Sequence, residues 1–413
     1  MIPMRIIHFL RSVVIIIAAA SLTWFLEYRG WFDSLEGVAF DFLHSKVTPG
    51  PEKEISDKII IVDIDEDSYA ACFDGVSPLN EENVLRLVEK VSSYKPLVVG
   101  IDLLTESKKY SDLYLNKFNH LRESSPSKVW AVDTIKKSDE SGGEQLYKPT
   151  SVLGFNVRAT PELKWAPPVF PLEGDAHVRR YPREFAISTG SSEALFVPTW
   201  ARMVAEEYRR LRGGKLDNRL EQVFLRHRNK VAWIPARRFL PACLPAKEAD
   251  SQTENHSAGL GEKLTPKDEE LQAILCGEIV LIGGTFRRKD EYIGPAGELS
   301  GIALNASAIE AELSGDFLRE LPRWCIFCLD VLVGVILLLF EFNFPAKTVR
   351  DKFIHIAIAS FILFLISAGL MYLNILWLGW NGLLLGMLIV LIVELNVENP
   401  KMNEHEHAPT PES

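Results

Sequence analysis

The sequence predicts an α/β fold: a mostly parallel sheet domain, extracytoplasmic, held between transmembrane α-helices. Three observations carry this. Apolar residues crowd into the first thirty positions and into the stretch from Trp324 to Leu395. Between those stretches, Lys58–Asp65 and Leu97–Asp102 are continuous apolar runs ending in acids, the pattern of strands buried on both faces of a parallel sheet. A helix-period segment separates the two runs, which makes a βαβ unit with a right-handed crossover.

The N-terminal apolar run begins after Arg5, His8 and Arg11. It continues past the small-residue stretch Ala18-Ala19-Ala20 through Leu22, Trp24, Phe25 and Leu26. It therefore reads as an uncleaved signal anchor over residues 12–27, after a cytoplasmic segment 1–11. Trp24, Tyr28 and Trp31 suit an outer interface. Three further spans follow at 324–342, 353–373 and 376–395, each near the ~20 residues that a bilayer requires. Lys347, Arg350 and Lys352 mark the loop between the first two as cytoplasmic. The domain at 28–322 is then outside, and the polar tail 396–413 inside. The expected location is a bacterial inner (plasma) membrane, multi-pass, with a periplasmic domain.

Within these spans, Asp330 is either a functional intramembrane acid or a residue wet at the interface. Cys325 and Cys328 have redox-motif spacing without a βαβ context, and read as buried thiols. Gly382 and Gly386 permit close helix packing, a weak signal.

The chain has 413 residues, 5 cysteines and a formal net charge of −10. An acidic chain excludes the usual phosphate-neutralising grip on nucleic acid. Five cysteines are too few for a disulfide framework, although one bridge among Cys72, Cys243 and Cys276 stays open. The arginine-rich segment from Arg202 to Arg238 is interleaved with Glu206, Glu207 and Glu221, and reads as a solvated face.

Inside the domain, Asn80 caps a helix reaching to Tyr94, with Val84, Leu87, Val88 and Val91 as its apolar stripe. Runs at Val129–Asp133 and Val152–Asn156 are third and fourth strands, and their polar ends read as caps. Residues 137–143 and 246–270 read as surface loop and insertion. The run Cys276–Thr285 is another buried strand that leads into a Gly283-Gly284 turn. The spacing is not that of a phosphate-binding loop. Gly301 to Leu313 forms a helix stopped by Gly315. Asp65 and Asp102 end parallel strands, where α/β sheets gather ligands. Whether they form a site or cap the next element stays open.

This order of elements resembles the type-2 CHASE domain, the cyclase/histidine-kinase-associated sensory extracellular domain. The resemblance rests on Asp41, on Ile64-Asp65-Glu66-Asp67-Ser68 after a strand, and on Gly100-Ile101-Asp102. It rests also on the turn Arg179-Arg180-Tyr181-Pro182, and on Gly277–Thr285 followed by Asp290, Pro295 and Gly301. The chain departs from the family at Val76-Ser77-Pro78, where Trp-Pro is common, and at Asn305-Ala306, where His-Ala is frequent. The resemblance implies a sensory input domain in signal transduction. The candidate ligand-binding residues are Asp65, Ser68, Asp102, Arg180 and Asp290, and no catalytic residue, cofactor or metal is expected. Expected partners are a small-molecule or peptide ligand, membrane lipid and a separate signalling effector in trans, since the tail after Leu395 is too short for a catalytic domain. Homodimerisation stays open. Two alternatives stand beside this: a magnesium-dependent phosphohydrolase using Asp63 and Asp65, and a scaffold without ligand.

Overall fold

The computed structural model describes residues 4–29, 33–46, 58–103, 111–125, 127–132, 135–137, 147–149, 165–168, 170–173, 175–188, 194–215, 223–224, 231–240, 268–288, 290–295, 297–315, 317–318, 323–343 and 349–372. The Val152–Asn156 strand, Asp133, Cys243, most of 246–270, the Gly382/Gly386 pair, the 376–395 span and the 396–413 tail lie outside them. The chain divides into two units: Met1–Thr48 with Leu318–Ser413, and Pro49–Phe317.

The second unit is built on a six-stranded sheet in which every pairing is parallel. Its strands lie in the order Ala232–Pro235, Ile59–Ile64, Ile279–Gly284, Val98–Asp102, Lys128–Val132 and Trp165–Ala166. The first two strands of the sequence are thus parallel but not neighbours, which corrects the simple βαβ expectation. The late strand Ile279–Gly284 enters between them. Its uninterrupted apolar run, buried from Ile279 to Gly283, suits that central place.

Alternation along the strands sends successive side chains to opposite faces. Ile59, Ile61, Val98, Ile279 and Leu281 join one core with Trp200, Val204, Ile302 and Ile309, from helices Trp200–Leu211 and Gly301–Ser314. Ile60, Val62, Val99, Ile101 and Val280 join the other, with residues of helices Glu66–Cys72, Glu81–Ser93, Asp112–Ser124 and Asp268–Leu275. Asn80 caps Glu81–Ser93 as its sequence implies, accepting from the amides of Glu82 and Asn83. Each fully buried Leu or Val of that helix stabilises by roughly 1.5–3 kcal/mol.

Gly283 and Gly284 belong to the strand rather than to a turn. A Cβ on Gly283 would lie 2.2 Å from Ile302 Cδ1, and one on Gly284 2.3 Å from Phe286 Cε1. Both glycines are required by space, which corrects the turn reading. Gly100 does the same for Trp200, whose Cζ2 would meet a Cβ at 2.7 Å. A smaller antiparallel element pairs Glu184–Ser188 with Ala194–Pro198. Cys72 and Cys276 are free thiols.

The first unit contains helices Met4–Tyr28, Asp33–Lys46, Arg323–Asn343 and Val349–Tyr372. Gly334 packs against Ile16, where a Cβ would stand 2.6 Å from Cγ2. Among the described residues no helix is long and apolar enough to cross a membrane.

Candidate functional site

At their C-terminal ends the three central strands share one register line. Asp63 pairs with Gly283, and Gly283 with Asp102. Aligned residues project to the same face, so both acids stand on the side covered by helix Gly301–Ser314, roughly 9–10 Å apart over two strand spacings. The absent side chain of Gly283 leaves that line open to Ile302. Ser300 caps the helix by accepting from the Ala303 amide at 3.4 Å, and Gly315 closes it with φ 71°.

Asp102 is bonded to that helix directly. The Asn305 Nδ2 donates to Asp102 Oδ2 at 2.9 Å. Asn305 is buried in an otherwise apolar turn of Ile302, Ala303, Leu304 and Ala306. From the far side comes Asp290, whose Oδ2 lies 2.0 Å from where a Cβ of Gly301 would stand. Asp290 also accepts the Gly301 amide on its backbone carbonyl, at 2.8 Å. Tyr292, two residues on, hydrogen-bonds the Asp290 side chain.

The electrostatics follow from this packing. Burial pushes the Asp102 carboxyl up to about 7, and the nearby Asp290 charge adds to it, against the Asn305 bond, which favours the ionised form. Asp102 as a whole residue is half-buried, so solvent reaches part of it and moderates the effect. Asp290 is also shifted upward, by burial of its carboxyl, although the residue itself is exposed in its loop. Burial and the two acids raise the Tyr292 hydroxyl above its ordinary range.

The other expected site residues lie in different settings. Asp65 is the N-cap of helix Glu66–Cys72, its Oδ1 accepting from the Ser68 amide at 2.8 Å. The Ser68 hydroxyl in turn accepts from the Arg237 amide at 3.2 Å. Arg180 donates to Glu173 at 2.8 Å, beside Arg179, which grips Glu173 and Asp175. Asp63, named from the sequence only with Asp65 in the phosphohydrolase alternative, shares the register line of Asp102. The Thr285 hydroxyl bonds both its carboxylate oxygens at 2.9 and 3.0 Å. The Thr285 amide bonds Oδ1 of Asp63 at 3.2 Å and the Ile64 carbonyl.

The structure therefore brings Asp102 and Asp290 together and adds Asn305 and Tyr292, which the sequence reading did not select. Asn305 has one legible signal, a polar residue on the buried face of an apolar helix. Tyr292 has none beyond lying two residues from Asp290. Among the described residues, no group of three or more His, Cys, Asp or Glu is arranged to hold a metal ion.

The model of the CHASE2 domain matches residues 13–340. The chain belongs to the CHASE2 family. CHASE2 domains are extracellular sensory domains, and that family membership supports a sensory role for this chain. No curated protein and no solved structure matches it.

Proposed function

We propose that this CHASE2 protein is a membrane-anchored, non-catalytic sensor whose extracytoplasmic sheet unit takes a small ligand at the Asp102–Asp290 edge. The signal then passes to a partner protein through the membrane helices. One observation supports the site above all: two carboxylates, a tyrosine hydroxyl and a buried amide converge at the C-terminal end of a parallel sheet, where α/β folds bind ligands. Anchoring is supported by large apolar side chains turned outward on the long helices, Val14, Leu332, Ile336, Phe361 and Leu365 among them. An acidic edge of this kind favours a ligand bearing an ammonium or hydroxyl group.

The test uses the full-length protein in detergent micelles, melted against a panel of amines, diamines and amino acids. A bound compound at about 100 times its Kd stabilises by roughly 2.7 kcal/mol. Stabilisation of the parent and not of Asp102→Asn supports the site; equal stabilisation of both, or of neither, contradicts it. For the location, protease added to intact spheroplasts should cut within 246–270 and spare the 396–413 segment. Protection of 246–270 would overturn the topology.

A further inference from the structure

Helix Asp33–Lys46 carries apolar side chains on two opposite faces. Phe40, Leu43 and His44 are buried, the rings of Phe40 and His44 standing 5.6 Å apart. The helix packs against Val349–Tyr372, within the same unit. Val38 and Phe42 lie one turn apart, roughly half a turn round the helix from that buried face. They are 64% and 56% exposed. A helix that packs one face on its own unit and turns the other to water carries polar residues on the second. This helix puts a valine and a phenylalanine there. Among its described side chains, the exposed polar ones, Ser45 and Lys46, stand in the last turn.

The neighbouring chain indicates what covers that face. Just before it, helix Met4–Tyr28 ends with Trp24 and Phe25 turned outward and the Arg29 guanidinium 5.4 Å over the Phe25 ring. An apolar run that closes in outward aromatics and a cation is the pattern of a helix end at a lipid–water interface. From Tyr28 to Asp33 the chain reaches at most about 18 Å, so the next helix starts close to that level. Its packing partner Val349–Tyr372 turns Ile358, Phe361 and Leu365 outward, so the helix sits on an element with an apolar exterior of its own. We propose that helix Asp33–Lys46 lies along the outer surface of the membrane. Val38 and Phe42 insert among phospholipid acyl chains, and Lys46 stands at the depth of the phosphates. With 14 residues the helix is about 21 Å long, too short to cross a bilayer core. The inference rests on the membrane anchoring proposed above. It adds a lipid contact made directly before the sheet unit begins at Pro49.

The test replaces three exposed phenylalanines, one at a time, with the photoreactive p-benzoylphenylalanine. They are Phe42, Phe361 of helix Val349–Tyr372, and Phe196 of the sheet unit. Each full-length protein is reconstituted in vesicles of phosphatidylethanolamine and phosphatidylglycerol, irradiated, and weighed by mass spectrometry. Phospholipid adducts are expected at 42 and 361, several-fold above the yield at 196. Adducts at 361, with position 42 no higher than 196, would overturn the proposal and leave the anchoring. Adducts at neither 42 nor 361 would remove the anchoring and this proposal with it. Crosslinking of position 42 to a second copy of the chain, in place of lipid, would also overturn it, because protein would then cover the face. If the bulky residue at 42 prevents reconstitution, the same probe goes to Val38 on the same face, with the same outcomes deciding.

Discussion

Two strands of the same sheet, with Ile279–Gly284 between them, end in aspartate chemistry of opposite kinds. After Ile59–Ile64, each polar group meets a complementary one. Asp65 caps a helix, Ser68 accepts from Arg237, Asp67 pairs with Arg237 at 2.6 Å, and Glu66 accepts from the Arg287 amide at 2.9 Å. At Val98–Asp102, the acid meets one amide and a second acid. These bonds tie the first end within the fold. The second end sets a half-buried acid beside a helix that it also holds, and burial with a second acid raises its carboxyl. Strongly shifted carboxyls of this kind gather at functional sites.

The sharpest way to break this contrast is to remove a charge that is answered and buried. Arg183→Met leaves Glu312 buried without its bidentate partner, and should cost about 3–5 kcal/mol in thermal or denaturant unfolding. A loss below 1 kcal/mol would mean that the answered charges are not structural. Asp65→Ala removes a helix cap and should cost about 1 kcal/mol, between 0.5 and 2, with ligand binding unchanged. Loss of binding without loss of stability would return Asp65 to the site. The smallest effect concerns Asp175, which Arg179 holds down to about 2. A depressed carboxyl stabilises above its ordinary value of 3.8 and loses that contribution as pH falls through about 2. Asp175 is partly solvated, so Asp175→Asn should cost under ~1 kcal/mol at pH 7. The parent and the variant should converge when melted at pH 2.

Much of the sheet unit is legible in the sequence because its signals are local. Apolar runs give the strands, Asn80 gives a cap, and Gly315 gives a stop. The strand order is not local. Nothing near Ile279 says that it will separate Ile59–Ile64 from Val98–Asp102, because pairing partners are chosen by burial across some two hundred residues. Position along a strand put Asp65 among the ligand candidates and Asp63 only in the phosphohydrolase alternative, but register across three strands places Asp63 level with Asp102. The sequence motifs named Asp102 and Asp290 together, and the structure sets both against helix Gly301–Ser314. They could not carry Asn305 or Tyr292, whose roles depend on a helix and a hairpin meeting at one edge. Helix Asp33–Lys46 also went unread, its apolar residues being too few to show a clear period.

The most direct test is the stability of the full-length protein and of Asp102→Asn, each measured at pH 5 and pH 8. A carboxyl raised from 3.8 to about 7 contributes stability that is present at low pH and lost as pH rises through about 7. The parent should therefore melt lower at pH 8 than at pH 5. The variant, without the charge, should lose less over that interval and melt above the parent at pH 8. An Asp102→Asn protein less stable than the parent at both pH values, with the same slope between them, would show an acid as well answered as Asp65, and would contradict the account.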